Sequence, residues 1–277
     1  MQQMKRFSIL IVIAILLSAC SEYQKVLNKG EVEDQYKMAT QYFEDGKFNK
    51  SIQLFEKVIP KYGSKPQMER IQYMVAEANY NTKSYDLSSY YFNKFIANYP
   101  TSSKVADATY FLAHSYYLSS PKSSRDQANT GKALAALQNF IDKFPESDKI
   151  ELANAYYDEL VNRLEKKSFD IAKQYYITEK YKAAIMAFDI FIEDNFGTKY
   201  KEEALAYKFL AAYELGMKSI INKKEERLEE AIANYNRLKK GFPESERLKD
   251  HSSKFEELNK ELKTTKEIYA KYTNNGL

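Results

Sequence analysis

The chain has 277 residues, with 42 basic against 38 acidic side chains for a formal charge of +4, and 44% of it is apolar. Eight glycines and six prolines, about 5% of the residues against a usual ~12%, exclude sheet-rich and disordered classes and lean the chain toward helix. A charge this small gives no electrostatic footprint for nucleic acid, and one cysteine with two histidines can build neither a disulfide framework nor a Cys/His metal cluster within one chain. Against that poverty stand 24 Tyr and 16 Phe with no Trp, a supply of semi-polar rings suited to interlocking helices and to holding peptides.

At the amino terminus Lys5 and Arg6 precede an unbroken apolar run from Ile9 to Leu17. As helix the run would span roughly 14 Å, too short for a ~30 Å hydrocarbon layer. A basic start, a short apolar stretch and small residues before a cut make a secretory signal. Here the run closes in Leu17-Ser18-Ala19-Cys20, which has the form of a bacterial lipoprotein box. Residues 1–19 therefore read as a lipoprotein signal peptide, with Cys20 as the lipidated first residue of the mature chain. The alternative, an ordinary signal with a coincidental cysteine, must place the only cysteine of the chain at the required position by accident. Two or more acyl chains anchor stably where one does not, so the protein is expected to be tethered to a membrane through acylated Cys20. Residues 20–30 carry no apolar period and read as a tether.

Five copies of a tetratricopeptide-like pattern follow. Its second-helix signature, a small residue and a large one four later, reads Ser51 to Phe55, Ser88 to Phe92, Ala133 to Leu137, Ala184 to Phe188 and Ala231 to Tyr235. The first-helix small residues are Ala39, Ala76, Ala113, Ala172 and Ala211. Small side chains are needed there because the two helices of a hairpin approach most closely at those points. The interval within each hairpin is 12, 12, 20, 12 and 20 residues, and the two longer copies differ by the same eight. Both extra pieces are polar, within Ser119 to Thr130 and within Lys218 to Arg227, and both read as lengthened loops.

Repeats one to three recur at 37 residues, whereas Ala113 to Ala172 is 59. Ala153, Tyr157, Leu160, Leu164, Ile171 and Tyr175 continue an apolar stripe through the excess at three- and four-residue steps, which predicts one long helix from about Lys149 to Thr178. After Pro243, Glu246 to about Tyr272 reads as one amphipathic helix with Leu248, Phe255, Leu258, Leu262 and Ile268, capping the last repeat. The fold class is all-α: a tetratricopeptide-repeat solenoid of five helix hairpins, with a long first helix in repeat four and a C-terminal capping helix. Repeats one to three are assigned to 31–147, repeats four and five to 148–245, and the cap and tail to 246–277.

Anchor, repeats, long helix and mature length together resemble the BamD family, the tetratricopeptide lipoproteins of the bacterial β-barrel assembly machine. The more particular residues are Ser124-Arg125-Asp126, Lys143-Phe144-Pro145-Glu146-Ser147, Arg163-Leu164, and Ala172-Lys173-Gln174-Tyr175-Tyr176 running into Tyr181-Lys182-Ala183-Ala184. The carboxy-terminal third, with Lys223 to Arg227 and Asn274-Asn275-Gly276, departs from the pattern. The resemblance implies a non-enzymatic, cofactor-free subunit on the periplasmic face of the outer membrane. It further implies that a BamA-type barrel subunit is bound chiefly by the carboxy-terminal repeats, and that unfolded outer-membrane proteins are engaged by the amino-terminal ones through an aromatic-ended terminal strand. The competing assignment, another periplasmic tetratricopeptide lipoprotein serving as a scaffold for envelope division or secretion, shares the anchor and repeats but not the long helix.

In such an array the concave wall is lined by first-helix positions offset from the packing ones. These are Glu33, Tyr36, Thr40, Phe43 and Glu44, then Arg70, Tyr73, Glu77, Tyr80 and Asn81, then Tyr110, His114 and Tyr117. A substrate-peptide groove is expected at Tyr36, Phe43, Arg70, Tyr73, Glu77, Tyr80, Tyr110 and Tyr117, where rings supply area at low entropic cost. Catalytic readings find little support. His114 lacks a nucleophile or paired carboxylate at a defined spacing, and His251 reads as solvated. Asn129-Thr130-Gly131-Lys132-Ala133 lacks the first glycine, the hydroxyl after Lys and the preceding strand of a phosphate loop, and reads as a helix start capped by Thr130. The charged run Lys223 to Glu230 reads as a solvated face.

Overall fold

The computed structural model describes residues 22–63 and 65–274, whose regular structure is entirely α-helical. Cys20, the leader and the last three residues lie outside the described residues. The chain divides into two compact units, one ending at Leu160 and the other beginning at Val161.

In the first unit α1 (22–29) is followed by α2 (Val32–Glu44), α3 (Phe48–Tyr62), α4 (Gln67–Asn81), α5 (Tyr85–Asn98), α6 (Val105–Ser119) and α7 (Ala128–Lys143), then by the start of α8 (Ile150–Ile177). Each helix from α2 to α7 packs on the next as antiparallel hairpins do; among them α2 with α3, α4 with α5 and α6 with α7 form the first three repeats. In the second unit the remainder of α8 is followed by α9 (Tyr181–Asp194), α10 (Lys201–Met217), α11 (Ile221–Gly241), the short α12 (Glu246–Asp250) and α13 (Ser252–Asn274).

All ten small residues of the repeat pattern are fully buried: Ala39, Ser51, Ala76, Ser88, Ala113, Ala133, Ala172, Ala184, Ala211 and Ala231. A hydroxyl at such a close approach needs a partner. Ser51 Oγ donates to the Ala39 carbonyl across the first hairpin at 2.8 Å, and Ser88 Oγ lies 3.0 Å from Ser115 Oγ of the next helix. Phe55, Phe92, Leu137 and Phe188, four residues on, have no exposed surface, and each contributes ~1.5–3 kcal/mol by leaving water.

The turns of repeats one, two and four share one backbone device. Gly46, Lys83 and Glu179 each stand seven residues after the first-helix alanine, and all have positive φ, at 72°, 61° and 59°. In each, two successive amides close the helix end: Lys83 N and Ser84 N donate to the Tyr80 and Asn79 carbonyls, as Glu179 N and Lys180 N do to Tyr176 and Tyr175. This is a left-handed helix cap, for which glycine is the unstrained residue.

The long helix is present, from Ile150 to Ile177. Ala153 and Leu160 belong to the core of repeat three, whereas Phe169 and Ala172 belong to that of repeat four. The division between the two compact units falls at Leu160/Val161, within α8.

Several expectations need correction. The segment 20–30 is not a featureless tether: 22–29 is helical, Tyr23 is buried, and Val26 and Leu27 pack on the repeat-one core. Tyr23, Val26 and Leu27 form the i, i+3, i+4 stripe of a short amphipathic helix. Of the two lengthened loops, 120–127 is one, but Lys218 to Arg227 is mostly helix, because α11 starts at Ile221 and so gains about two turns. That stretch contains no Gly or Pro to stop it. Thr130 does not cap α7, which begins two residues earlier; its hydroxyl donates to Gln127 Oε1 at 2.7 Å inside the first turn. The carboxy-terminal cap is broken at His251 into α12 and α13. Leu258 is buried, but Ile268 is exposed and Thr265 takes the buried place, three residues earlier on the stripe.

Candidate functional site

The predicted groove residues lie on α2, α4 and α6, and α8 adds to the same cluster in the first unit. Tyr80 on α4 and His114 on α6 are joined by a hydrogen bond of 2.8 Å between the phenol oxygen and Nδ1. Tyr156 of α8 stacks on the His114 ring with centroids 4.7 Å apart at 7°, and on Tyr117 at 4.3 Å and 26°. The Tyr117 hydroxyl donates to the Glu159 carboxylate. Tyr110 meets His114 at 5.6 Å and sets its edge on Phe140 at 5.4 Å. Burial holds the His114 imidazole below its ordinary 6.5 and pushes the Tyr80 and Tyr110 phenols up.

A second grouping surrounds Tyr73. Its ring meets Phe92 and Phe95 edge-on at 5.7 and 5.3 Å, with the Lys104 ammonium 5.5 Å from the ring centre. Glu77 lies half-buried beside it. Burial raises its carboxyl above the ordinary carboxylate value, Lys104 opposes that rise and Asp107 adds to it. Asp107 is itself paired with Lys149 at 3.2 Å. An open pocket of about 360 Å³ is lined by Pro66, Glu69, Arg70, Tyr73, Phe95 and Lys104. Arg70 is exposed and meets Glu44 at 3.4 Å.

The structure thus brings together Arg70 with Tyr73, and Tyr80 with Tyr110 and Tyr117 around His114. Tyr36 and Phe43 pack within the first hairpin, Tyr36 on Phe55 and Tyr62 and Phe43 on Phe48. Tyr110 is buried and serves the core, and the other five rings are half-buried. The wall is a faceted aromatic surface with cationic and anionic groups between its rings.

Sequence reasoning missed Tyr156, Glu159, Lys104 and Asp107. A signal for Tyr156 existed. Ala113 to Ala153 is 40 residues, close to the 37-residue period, so the start of α8 offers a fourth first-helix face to repeat three. His251 is half-buried, not solvated, with its ring 5.8 Å from Phe209 and its imidazole held below the ordinary value by burial.

In the second unit Phe169, Tyr176, Phe188, Tyr200 and Tyr207 form another ring cluster, with the Lys173 ammonium 4.6 Å from the Tyr207 centroid and 3.4 Å from Glu203. The ammonium of buried Lys208 pairs with Asp189 across α9 and α10. Among the described residues no group of three or more His, Cys, Asp or Glu is placed to hold a metal ion, and no helix is long and apolar enough to cross a membrane.

The chain is 25% identical over 228 residues to the putative outer membrane protein assembly factor BamD of Aquifex aeolicus, covering 81% of this chain and 74% of that protein. It is 26% identical over 207 residues to the outer membrane protein assembly factor BamD of Caulobacter vibrioides, covering 73% and 68%. Among solved structures, a thermophilic TPR protein of Thermus thermophilus aligns at 14% identity with a TM-score of 0.32, over 81% of this chain and 98% of that one. The family model described as YfiO, outer membrane lipoprotein, matches residues 28–228, which take in α2 to α10 whole. The chain belongs to the YfiO family of outer membrane lipoproteins.

Proposed function

We propose that this chain is a non-catalytic subunit of outer-membrane protein assembly, anchored by acylated Cys20 at the periplasmic face. It holds a BamA-type barrel subunit chiefly through repeats four and five and receives unfolded outer-membrane proteins on the aromatic surface of repeats one to three. The observation that carries this reading is the family match over residues 28–228, whose relatives are named as outer membrane protein assembly factors.

The pocket beside Tyr73 suits the end of such a substrate. Tyr73 offers ring surface for a terminal aromatic side chain, with the buried Phe95 packed edge-on behind it, and Arg70 and Lys104 offer cations for its free carboxylate. Rings supply the area and paired charges fix the direction, which is how a groove reads a chain end without reading the rest of the sequence.

Two measurements test the proposal. Purification from detergent-solubilised membranes is expected to bring down a BamA-type barrel protein, and its absence would remove the assembly role. A synthetic copy of a barrel's last strand ending in Phe is expected to bind the full-length protein. Amidation of its carboxylate, or replacement of both Arg70 and Lys104 by Gln, should weaken binding about tenfold, or ~1.4 kcal/mol. Equal binding of the free and amidated peptides would place the substrate surface elsewhere.

A further inference from the structure

The anchor proposed at Cys20 and the docked helix α1 together fix where the membrane surface must lie. We infer that the α2–α3 turn, with Lys47 and Lys50, rests against the phospholipid headgroups beside the anchor; this deepens the lipoprotein reading and rests on it.

Glu22 opens α1, and only one residue separates it from Cys20. Two residue steps, fully extended, cover at most about 7 Å. The headgroup zone on each side of the hydrocarbon is itself about 5–7 Å deep. The first turn of α1 is therefore held at the headgroups by a link too short to let it leave.

What stands beside that turn follows from the contacts of Tyr23. Its hydroxyl donates to Gln53 Oε1 at 2.8 Å and reaches the Lys50 carbonyl at 3.4 Å, and its ring sets an edge on Tyr42 at 5.4 Å. The Lys50 ammonium lies 5.0 Å from the Tyr23 ring centre and 5.3 Å from that of Tyr42, and Lys47 lies 5.3 Å from Tyr42. At the other end of α1, Gln35 Nε2 donates to the Val26 and Leu27 carbonyls at 3.1 and 3.2 Å. Helix α1 is thus fastened at both ends, its amino end against the α2–α3 turn, and whatever holds residue 20 at the bilayer holds this turn there too.

Charge is not the main force. Lys47 is paired with Asp45 at 2.9 Å, and Glu44 with Arg70 at 3.4 Å, so little net charge is left at the turn. The Lys47 ammonium keeps donors to spare beyond its bond to Asp45, and those can reach phosphate oxygens, while the covalent link supplies the persistence, so the contact should survive added salt. A flexible ten-residue link would instead let the body wander by roughly 17 Å.

The test uses the full-length lipidated protein in vesicles of phosphatidylethanolamine and phosphatidylglycerol carrying a nitroxide on the headgroup of a minor lipid. With Cys20 acylated, a fluorophore can be placed on one new thiol at a time: Asp45→Cys or Asn49→Cys near the turn, and Asp142→Cys at the far end of α7. Quenching at 45 and 49 should exceed that at 142 at least threefold and persist in 0.5 M salt. Insertion of ten Gly/Ser residues between Ser21 and Glu22 should abolish most of the difference. Equal quenching at all three sites, in protein that floats with the vesicles and carries acyl groups on its amino-terminal peptide, would overturn the inference and leave the anchor standing. Protein that neither floats nor carries acyl groups would overturn both.

Discussion

The Tyr80 hydroxyl and His114 Nδ1 lie 2.8 Å apart and tie α4 to α6, so that a single proton matters to the joint between repeats two and three. A neutral imidazole can accept the phenolic proton there, whereas an imidazolium can only donate. Burial depresses the His114 and His251 imidazoles below 6.5, so below that pH the unfolded chain binds protons that the folded chain resists, and stability falls as pH drops. Glu77 works in the opposite sense: its raised pKa makes protonation favour the folded state just above 4.5. The melting temperature should therefore decline from pH 7.5 to 6, and His114→Phe with His251→Phe should flatten that decline. An unchanged slope in the double variant would show that other groups set the pH dependence.

Lys83 and Glu179 occupy the left-handed cap that Gly46 fills in repeat one. A side chain in that conformation costs ~1–2 kcal/mol, part of which glycine returns to the unfolded chain as entropy. Lys83→Gly and Glu179→Gly should each stabilise by about 0.5–1 kcal/mol in urea unfolding, and Gly46→Ala should destabilise by a similar amount. Glu179 also lies 3.9 Å from Lys218, an exposed pair whose loss costs little.

Lys208 is 3% exposed while its partner Asp189 sits at the surface end of the pair. Removing the partner strands a buried ammonium, whereas removing the ammonium leaves an apolar site of similar volume. Asp189→Asn is expected to cost about 2 kcal/mol or more and Lys208→Met less than ~1 kcal/mol. Thermal denaturation of the two proteins gives the comparison, and the reverse order would mean that the ammonium already reaches water.

Ala184 marks the close approach of α8 and α9, and Ala128 is exposed at the start of α7. Ala184→Leu should cost ~1–3 kcal/mol by overpacking, and Ala128→Leu no more than ~0.5 kcal/mol. Equal midpoints in denaturant would contradict the helix register in repeat four.

The repeat architecture was legible because its strictest demand, a small residue wherever two helices nearly touch, leaves a mark that no other residue type can counterfeit. All ten such positions are buried as expected, and α8 begins and ends within one residue of its predicted bounds. Short amphipathic elements were less legible. In α1 three apolar residues in eight read as a tether, although Tyr23 alone closes two hydrogen-bonding contacts and a ring contact. The site was only half legible, since the pattern locates a wall without saying which of its rings are already occupied. Tyr110 has the same spacing credentials as Tyr73, yet Phe140 stands in front of it.

Helix α13 is fastened by two different kinds of contact along its length. Near its start Phe255 stacks on Tyr235 at 4.2 Å and the Tyr213 hydroxyl donates to Glu257 at 2.6 Å, its phenol pushed up to about 12 chiefly by burial. Further along, ion pairs of Lys224 with Glu261, and of Lys266 with Glu225 and Glu229, join it to the first half of α11 at 2.5, 3.7 and 2.7 Å, beside one hydrogen bond from the Tyr269 hydroxyl to the Ile221 carbonyl at 2.8 Å. Salt weakens the second kind and spares the first. Amide exchange along α13 should consequently be graded, with the turns beyond Glu261 opening earliest, and raising the ionic strength should move the opening point back toward Phe255 while the rest of the last repeat stays protected.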